Sequence, residues 1–376
     1  MIYNGMIKIL FLIHDLGAGG AEKVLVNLVN NMNCNKFEIH VTALFGGGIN
    51  EQFLKPNIHF HTVWAKEIPG NSKWMKLFSP QQLHKKCVRE HFDIEVSYLE
   101  GPSARIISGC TDKTTKLISW IHVEQHTMEA LAASFRNFKE ARLCYNAFHQ
   151  TVCVSEYVRD DFCSILNYHK PCTVLYNTVE SDKILIEARE PVLEFVDDGM
   201  IRLVAVGTLK QPKGYMRLLK IVKRLRDEEY TVHLYVLGTG PLQQEMEEYI
   251  GQNELHNNVT LLGYQTNPYK YVSKCDLFVC ASFAEGFSTA ATEALIVGTP
   301  VCTVEVSGMK EMLGNDNEYG IVTENNEEAL FQGMKRLLND KDLLVYYRRQ
   351  AQIRGNTFRT EETVRSVEKK LLGLLD

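Results

Sequence analysis

Short apolar runs of strand length alternate with helical patterns along almost the whole chain, and the alternation occurs twice. In the first half the runs fall at 7–13, 38–44, 58–63, 94–98, 116–121, 151–154 and 173–175. Helical patterns separate them, for example at 21–32 and 128–148. The second half restarts with runs at 202–206, 232–237, 259–262, 277–281 and 301–304. Uniformly apolar strands separated by helices imply parallel sheets covered on both faces, because parallel strands need a crossover between them. At 376 residues the chain also exceeds what one hydrophobic core holds. The expected fold class is therefore α/β, with two facing doubly wound, Rossmann-like domains. Domain boundaries are expected at 1–180 and 201–355, joined by a linker at 181–200 that is charged and holds Pro191 and an Asp197-Asp198-Gly199 turn. The last stretch, from Asp340, lacks a strand signal and reads as two helices separated near Gly355, with 356–376 as the terminal helix.

Composition narrows the function. A net charge of -5 gives no reason to expect nucleic acid. Ten cysteines at irregular spacing, with neither a CxxC pair nor a Cys/His zinc pattern, favour a reducing cytoplasm over a disulfide scaffold. No apolar stretch reaches membrane-spanning length, and a signal peptide is not expected, because the first run ends in His14-Asp15 and leads directly into a patterned helix. Within 71–90, Lys73, Trp74, Met75, Lys76, Leu77 and Phe78 precede Lys85, Lys86 and Arg89. This interleaving reads first as an ordinary amphipathic surface helix, and it also suits peripheral contact with an anionic lipid surface at the inner face of a membrane.

The chemistry-bearing residues cluster where strands run into helices. In SFAEGFSTAATEALIVGTP (282–300), a turn holding Glu285 leads to a helix opening at Ser288/Thr289 and carrying Glu293. A helix start offers unpaired N–H groups and the positive end of the macrodipole, so it favours a phosphate. Carboxylates beside such a site suit a ligand with phosphate and many hydroxyls, as a nucleotide sugar has. The first strand leads into Gly17, Gly19 and Gly20, where glycine allows positive φ and close approach of a ligand. The spacing departs from GxGxxG, and the second strand ends without an acidic residue for a ribose, which disfavours a dinucleotide. His122 stands at the carboxyl end of the fifth strand, either as a sugar contact or as a satisfied structural histidine. Lys213 precedes a helix, where a cation is costly without an anion to meet. The one DxD, Asp340-Lys341-Asp342, precedes a helix and reads as a cap, so no protein-held metal or other cofactor is expected.

With these residues in order, the chain resembles the large family four of retaining glycosyltransferases, which has the glycosyltransferase B architecture. The resemblance rests on GGAEK (19–23), VSEYV (154–158), YNTVE (176–180), Lys213 and the E-x7-E stretch continuing to Gly298-Thr299-Pro300. It implies that Glu285 contacts the donor sugar, while backbone groups of Gly286, Phe287, Ser288 and Thr289 meet the sugar and diphosphate. It also implies that Glu293 holds the ribose, Lys213 the diphosphate, and His122 the sugar's hydroxymethyl group. Gly19 and Gly20 would border the diphosphate and acceptor, and the terminal helix would cross back to the first domain. On this basis the catalytic candidates are Glu285, His122 and Lys213. The family usually has arginine where this chain has Thr208 in the donor-binding set, a neutral donor in place of a charged fork. The implied reaction is retaining transfer of a hexose-type sugar from a nucleoside-diphosphate donor to a glycan or lipid-linked acceptor. A nucleotide-sugar-binding partner subunit without turnover and a nucleotide-sugar epimerase remain alternatives.

Overall fold

A computed structural model describes residues 5–67, 70–192, 195, 199–285 and 287–375, apart from the Ser72 side chain. The chain forms two compact units, Met1–Val179 with Thr360–Asp376, and Glu180–Arg359.

The first unit is built on seven strands: β1 (Ile7–Ile13), β2 (Phe37–Phe45), β3 (His59–Trp64), β4 (Ile94–Ser97), β5 (Lys116–Ile121), β6 (Gln150–Cys153) and β7 (Cys172–Val174). Their order is β3-β2-β1-β4-β5-β6-β7, every pair parallel. Central strands are buried on both faces, as the uniform apolar runs require; β3 at the edge stays partly exposed. The terminal helix Thr360–Leu372 belongs to this unit. Its Thr360 hydroxyl donates to the Val179 carbonyl at 2.7 Å, and its Glu368 carboxylate accepts from the Asn33 N–H at 2.6 Å. That carboxylate sits at the end of the helix Gly20–Asn31, tying the last helix to the first.

The second unit contains β8 (Ile201–Val206), β9 (Val232–Leu237), β10 (Val259–Gly263), β11 (Leu277–Cys280), β12 (Val301–Val304) and β13 (Ile321–Thr323), ordered β10-β9-β8-β11-β12-β13 and again parallel. Leu203, Leu234, Val236, Leu277 and Val279 form its core with Leu219, Val222 and Phe331 from covering helices. The switch from β8–β9 to β8–β11 opens a crevice at the carboxyl ends, where ligands of doubly wound sheets bind.

Three stretches carry local structure beyond the sequence pattern. The helical pattern at 128–148 breaks into Met128–Leu131 and Phe138–Ala147, because Asn137 caps the second helix by accepting from the Glu140 N–H. The three-residue β13 has no counterpart among the expected runs; it is too short for a periodic signal. Within 181–200, Ser181–Glu187 is helical and packs in the second unit, where the Glu187 carbonyl accepts from Asn267 at 3.0 Å. Asp197 and Asp198 of the expected turn lie outside the described residues.

Candidate functional site

The carboxyl rim of the second unit is shaped by close backbone approaches. After β8 comes Gly207 (φ 153°), and after β9 Gly238 (φ 137°), where a Cβ would collide with the Gly207 carbonyl oxygen. The chain then makes a short 3₁₀ turn, Gln211–Lys213, before the helix Tyr215–Asp227. Gly214 between them is left-handed (φ 68°), and a Cβ there would run into the Ala281 carbonyl oxygen just past β11. This contact sets the Lys213 turn against the segment carrying Glu285.

The result is an ion pair. Lys213 Nζ donates to Glu285 Oε1 at 2.7 Å and to Oε2 at 2.9 Å. Ser282 Oγ donates to the same Oε1 at 2.7 Å. The Glu285 side chain is 9% exposed and that of Lys213 35%, so the carboxylate is fixed while the ammonium reaches solvent. A cavity of about 20 Å³ remains beside them, lined by Ala205, Tyr215, Ala281 and Ser288 among others. Arg217, 6% exposed, holds the turn from below: it donates to the carbonyls of Ala281 and Ser282 and to Asn325, and lies 4.3 Å from the Phe283 ring centre.

Immediately after Glu285, Ser288 caps the helix Thr289–Ile296, its hydroxyl accepting from the Ala291 N–H. Phe287 is buried edge-on against Phe358, ring centres 5.8 Å apart, which anchors the entry to the helix. Gly286 lies outside the described residues. Glu293 is 8% exposed and accepts from the Tyr269 hydroxyl at 3.2 Å. Thr208 and Lys210 are both exposed on this rim, two residues apart. Asp340 caps the helix Lys341–Gly355 through a 2.9 Å bond from the Leu343 N–H.

On the first unit, the glycine turn differs from expectation in its physical basis. None of Gly17, Gly19 and Gly20 has a positive φ. A Cβ at 19 would overlap the Glu22 carboxylate where it now lies, a flexible side-chain end that can move aside, whereas the space at Gly20 is open. A carboxylate of the chain therefore sits at the start of the helix Gly20–Asn31, close to where an external phosphate was expected. Burial pushes the Glu22 carboxyl up from its usual range.

His122 follows β5 and is 6% exposed, against the rings of Tyr98 (4.8 Å) and Trp120 (6.4 Å). Its Nε2 has no hydrogen-bond partner in the structure, and burial holds the imidazole neutral, pushing its pKa down to about 3. Its backbone N–H donates to Glu100 Oε2 at 3.1 Å. Burial raises the Glu100 carboxyl to about 7, opposed by backbone N–H groups including that of His122.

The family descriptions agree with this division. "Glycosyltransferase Family 4" matches residues 18–183, and "Glycosyl transferases group 1" matches 193–354. Over 379 aligned residues, covering 98% of this chain and all of the relative, the sequence is 30% identical to a Campylobacter jejuni enzyme. That enzyme is the N-acetylgalactosamine-N,N'-diacetylbacillosaminyl-diphospho-undecaprenol 4-alpha-N-acetylgalactosaminyltransferase. The chain belongs to glycosyltransferase family 4. A second C. jejuni relative, also an alpha-1,4-N-acetyl-D-galactosaminyltransferase named for a diphospho-undecaprenol-linked glycan, is 24% identical, with 90% of each chain covered. Anabaena HepE, solved with UDP and glucose, superposes with a TM-score of 0.78 over 98% of this chain and all of its own, at 16% identity. The fold is thus that of the glycosyltransferase B enzymes, two parallel-sheet α/β units.

In this family 4 chain the structure brings Lys213, Glu285, Ser288 and Thr289 onto one rim, and places His122, Gly19 and Gly20 on the other unit. Sequence reasoning missed the residues that position these groups: Ser282 and Arg217 for the Glu285 turn, Tyr269 for Glu293, and Glu100 beside His122. Arg217 is four residues beyond Lys213, one helical turn on, but its targets lie 64 and 65 residues away and carry no local signal.

Proposed function

We propose that this protein transfers a hexose-type sugar from a nucleoside-diphosphate donor to a hydroxyl of a glycan or lipid-linked glycan, with retention at the anomeric carbon. The observation that carries the reading is the fixed Glu285 carboxylate and reachable Lys213 ammonium beside the helix start at Ser288. This combination suits a sugar and a diphosphate respectively. In the step proposed, the bond from C1 to the diphosphate oxygen breaks and its electron pair leaves with the nucleoside diphosphate. The acceptor oxygen bonds to C1 on the same face and passes its proton to the departing phosphate. Lys213 and the N–H groups at 288–290 stabilise the leaving charge, and Glu285 favours positive charge developing on the sugar. Glu293 holds the ribose, backbone groups at Gly286 and Phe287 border the sugar, and His122, held neutral, hydrogen-bonds a sugar hydroxyl. Gly19 and Gly20 border the diphosphate and the acceptor. The transfer is proposed to need no protein-held metal and no cofactor besides the donor.

Relatives named for diphospho-undecaprenol-linked glycans favour a lipid-linked acceptor. Relatives named for capsular polysaccharide and lipopolysaccharide core favour surface polysaccharide synthesis, and peripheral membrane contact through 71–90 is proposed with them. No helix among the described residues is long and apolar enough to cross a membrane. The exposed Thr208, in place of the usual arginine, favours a second reading, a subunit that binds the nucleotide sugar without turnover. Incubating the protein with a panel of nucleotide sugars, with and without lipid-linked glycans, decides between them. Nucleotide release dependent on acceptor is the expected result; donor binding with no release under any acceptor supports the second reading instead.

A further inference from the structure

Away from the carboxyl rim, the first unit buries a carboxylate inside a strand. Glu95 is the second residue of β4 and is 2% exposed. It lies three residues before Tyr98, so about 10 Å below the rim at ~3.3 Å per residue. A buried carboxylate must be fully partnered to be tolerated. One oxygen, Oε2, lies 2.7 Å from His84 Nε2 on the helix Pro80–Cys87. The other, Oε1, meets the Cys110 thiol among the described residues, with Sγ 3.8 Å away. A thiol is a weak donor and leaves that oxygen poorly satisfied.

The three groups come from a helix, a strand and a turn, and their meeting is enforced by the backbone. Cys110 follows the helix Pro102–Ile107 through Gly109, where a Cβ would strike the Pro80 carbonyl oxygen at the start of the helix carrying His84. Their ligand atoms, one each from His84, Glu95 and Cys110, all lie within 4.8 Å of one another. Ligands of a tetrahedral zinc ion, bonded at roughly 2.0–2.3 Å, stand about 3.3–3.8 Å apart. The 3.8 Å contact, to Oε1, is at that spacing. The 2.7 Å contact, to Oε2, widens by under about 1 Å when an ion replaces the shared proton, and a small turn of the Glu95 carboxylate brings one oxygen to face both partners.

We propose that His84, Glu95 and Cys110 bind a divalent transition-metal ion of zinc's class, with solvent at the fourth position. Imidazole, carboxylate and thiolate together suit zinc better than a hard cation such as magnesium. On entry the Cys110 thiol loses its proton to solvent, as does the proton His84 shares with Glu95, and the ion bonds to the freed lone pairs. Both Cys110 and His84 are only partly buried, which leaves the ion a way in. The site is separate from the Lys213–Glu285 rim and does not depend on the transferase reading.

The test uses the full chain, stripped with chelator and titrated with Co²⁺ and with Zn²⁺ against a chromogenic chelator. A single tight equivalent and a thiolate-to-cobalt charge-transfer band are expected. Cys110→Ser should abolish the band and weaken zinc by about tenfold or more, and His84→Gln should weaken zinc similarly. Cys34→Ser, at an exposed cysteine, serves as a control expected to change neither. Circular dichroism of each variant separates loss of the site from loss of fold; if Cys110→Ser unfolds, Cys110→Ala and cyanylation of Cys110 blocked or unblocked by zinc replace it. Absence of the band in the parent protein overturns the proposal. So does a band that survives Cys110→Ser but vanishes with Cys172→Ser, which would move the ion to the thiols near Cys153, where the two sulfurs lie 3.5 Å apart.

Discussion

Lys213 spans both carboxylate oxygens of Glu285, at 2.7 and 2.9 Å, although 72 residues separate them in the chain. The two side chains proposed for the donor's opposite parts are therefore each other's partners in this structure. A diphosphate arriving at Lys213 has to share or replace that carboxylate. The pair thus holds both side chains in place and also competes with the ligand.

Glu285→Gln should separate these roles. Without the carboxylate charge, Lys213 is free for the diphosphate, so nucleoside diphosphate should bind the variant several-fold more tightly. Turnover should nevertheless fall by roughly 100-fold, since an electrostatic contact made to the reacting sugar is lost. Isothermal titration and steady-state kinetics measure both. Unchanged turnover would remove Glu285 from the mechanism.

Thr208→Arg restores a charged fork on the exposed rim five residues before Lys213. A hydrogen bond to a charged group contributes about 1.5–3 kcal/mol. Donor KM should fall by about tenfold or more, with kcat equal or higher. A sharp loss of activity in the donor assay would show that the threonine does different work.

Two buried groups on the first unit give opposite dependences on pH. His122 is held neutral by burial, with its pKa near 3, below its unfolded value of 6.5. Its folded form is disfavoured as acid protonates the unfolded chain, so stability is intact above about 6.5 and falls as pH drops toward 3. His122→Gln should flatten that acid limb. Glu100 is the converse: its folded pKa, near 7, exceeds the ordinary 4.5, so ionisation costs stability as pH rises from 4.5 to 7. Glu100→Gln should gain melting temperature relative to the parent at pH 8 but not at pH 4.5. Thermal melts across this range check both signs.

Leu77, 77% exposed, and Phe78, 41% exposed, project from a segment whose backbone is clamped. Arg105 donates to the Met75 and Phe78 carbonyls, and Arg136 to those of Lys76 and Leu77. Lys73, Lys85, Lys86 and Arg89 are exposed nearby in sequence. Replacing Leu77 and Phe78 together by serine should reduce co-sedimentation with anionic vesicles by more than tenfold, given about 0.8 kcal/mol per buried CH₂. Equal sedimentation of parent and variant would show that lipid does not meet this segment.

Much of the fold was legible because strands and helices are written locally. β1, β5, β9 and β12 have the bounds that their apolar runs suggested, and the helix at Thr289 opens where Ser288 predicts a cap. The misses have separate causes: β13 is too brief for periodicity, and the cap at Asn137 was hidden inside a continuous helical pattern. In the glycine turn, the residues were legible but the reason for them was not. Neither positive φ nor close backbone approach is seen there; Gly19 lies against the movable Glu22 carboxylate, a contact that spacing alone does not reveal.

The sequence by itself determined two doubly wound α/β units and which chemical groups stand at strand ends, because apolar periodicity, caps and glycines act over a few residues. Only the tertiary structure decided which groups meet. That Lys213 faces Glu285, that Tyr269 supports Glu293, and that His84, Glu95 and Cys110 converge depends on crossovers and close backbone contacts, such as Gly214 on Ala281 and Gly109 on Pro80. Those contacts join residues tens of positions apart, and their geometry is set by packing rather than by any local pattern.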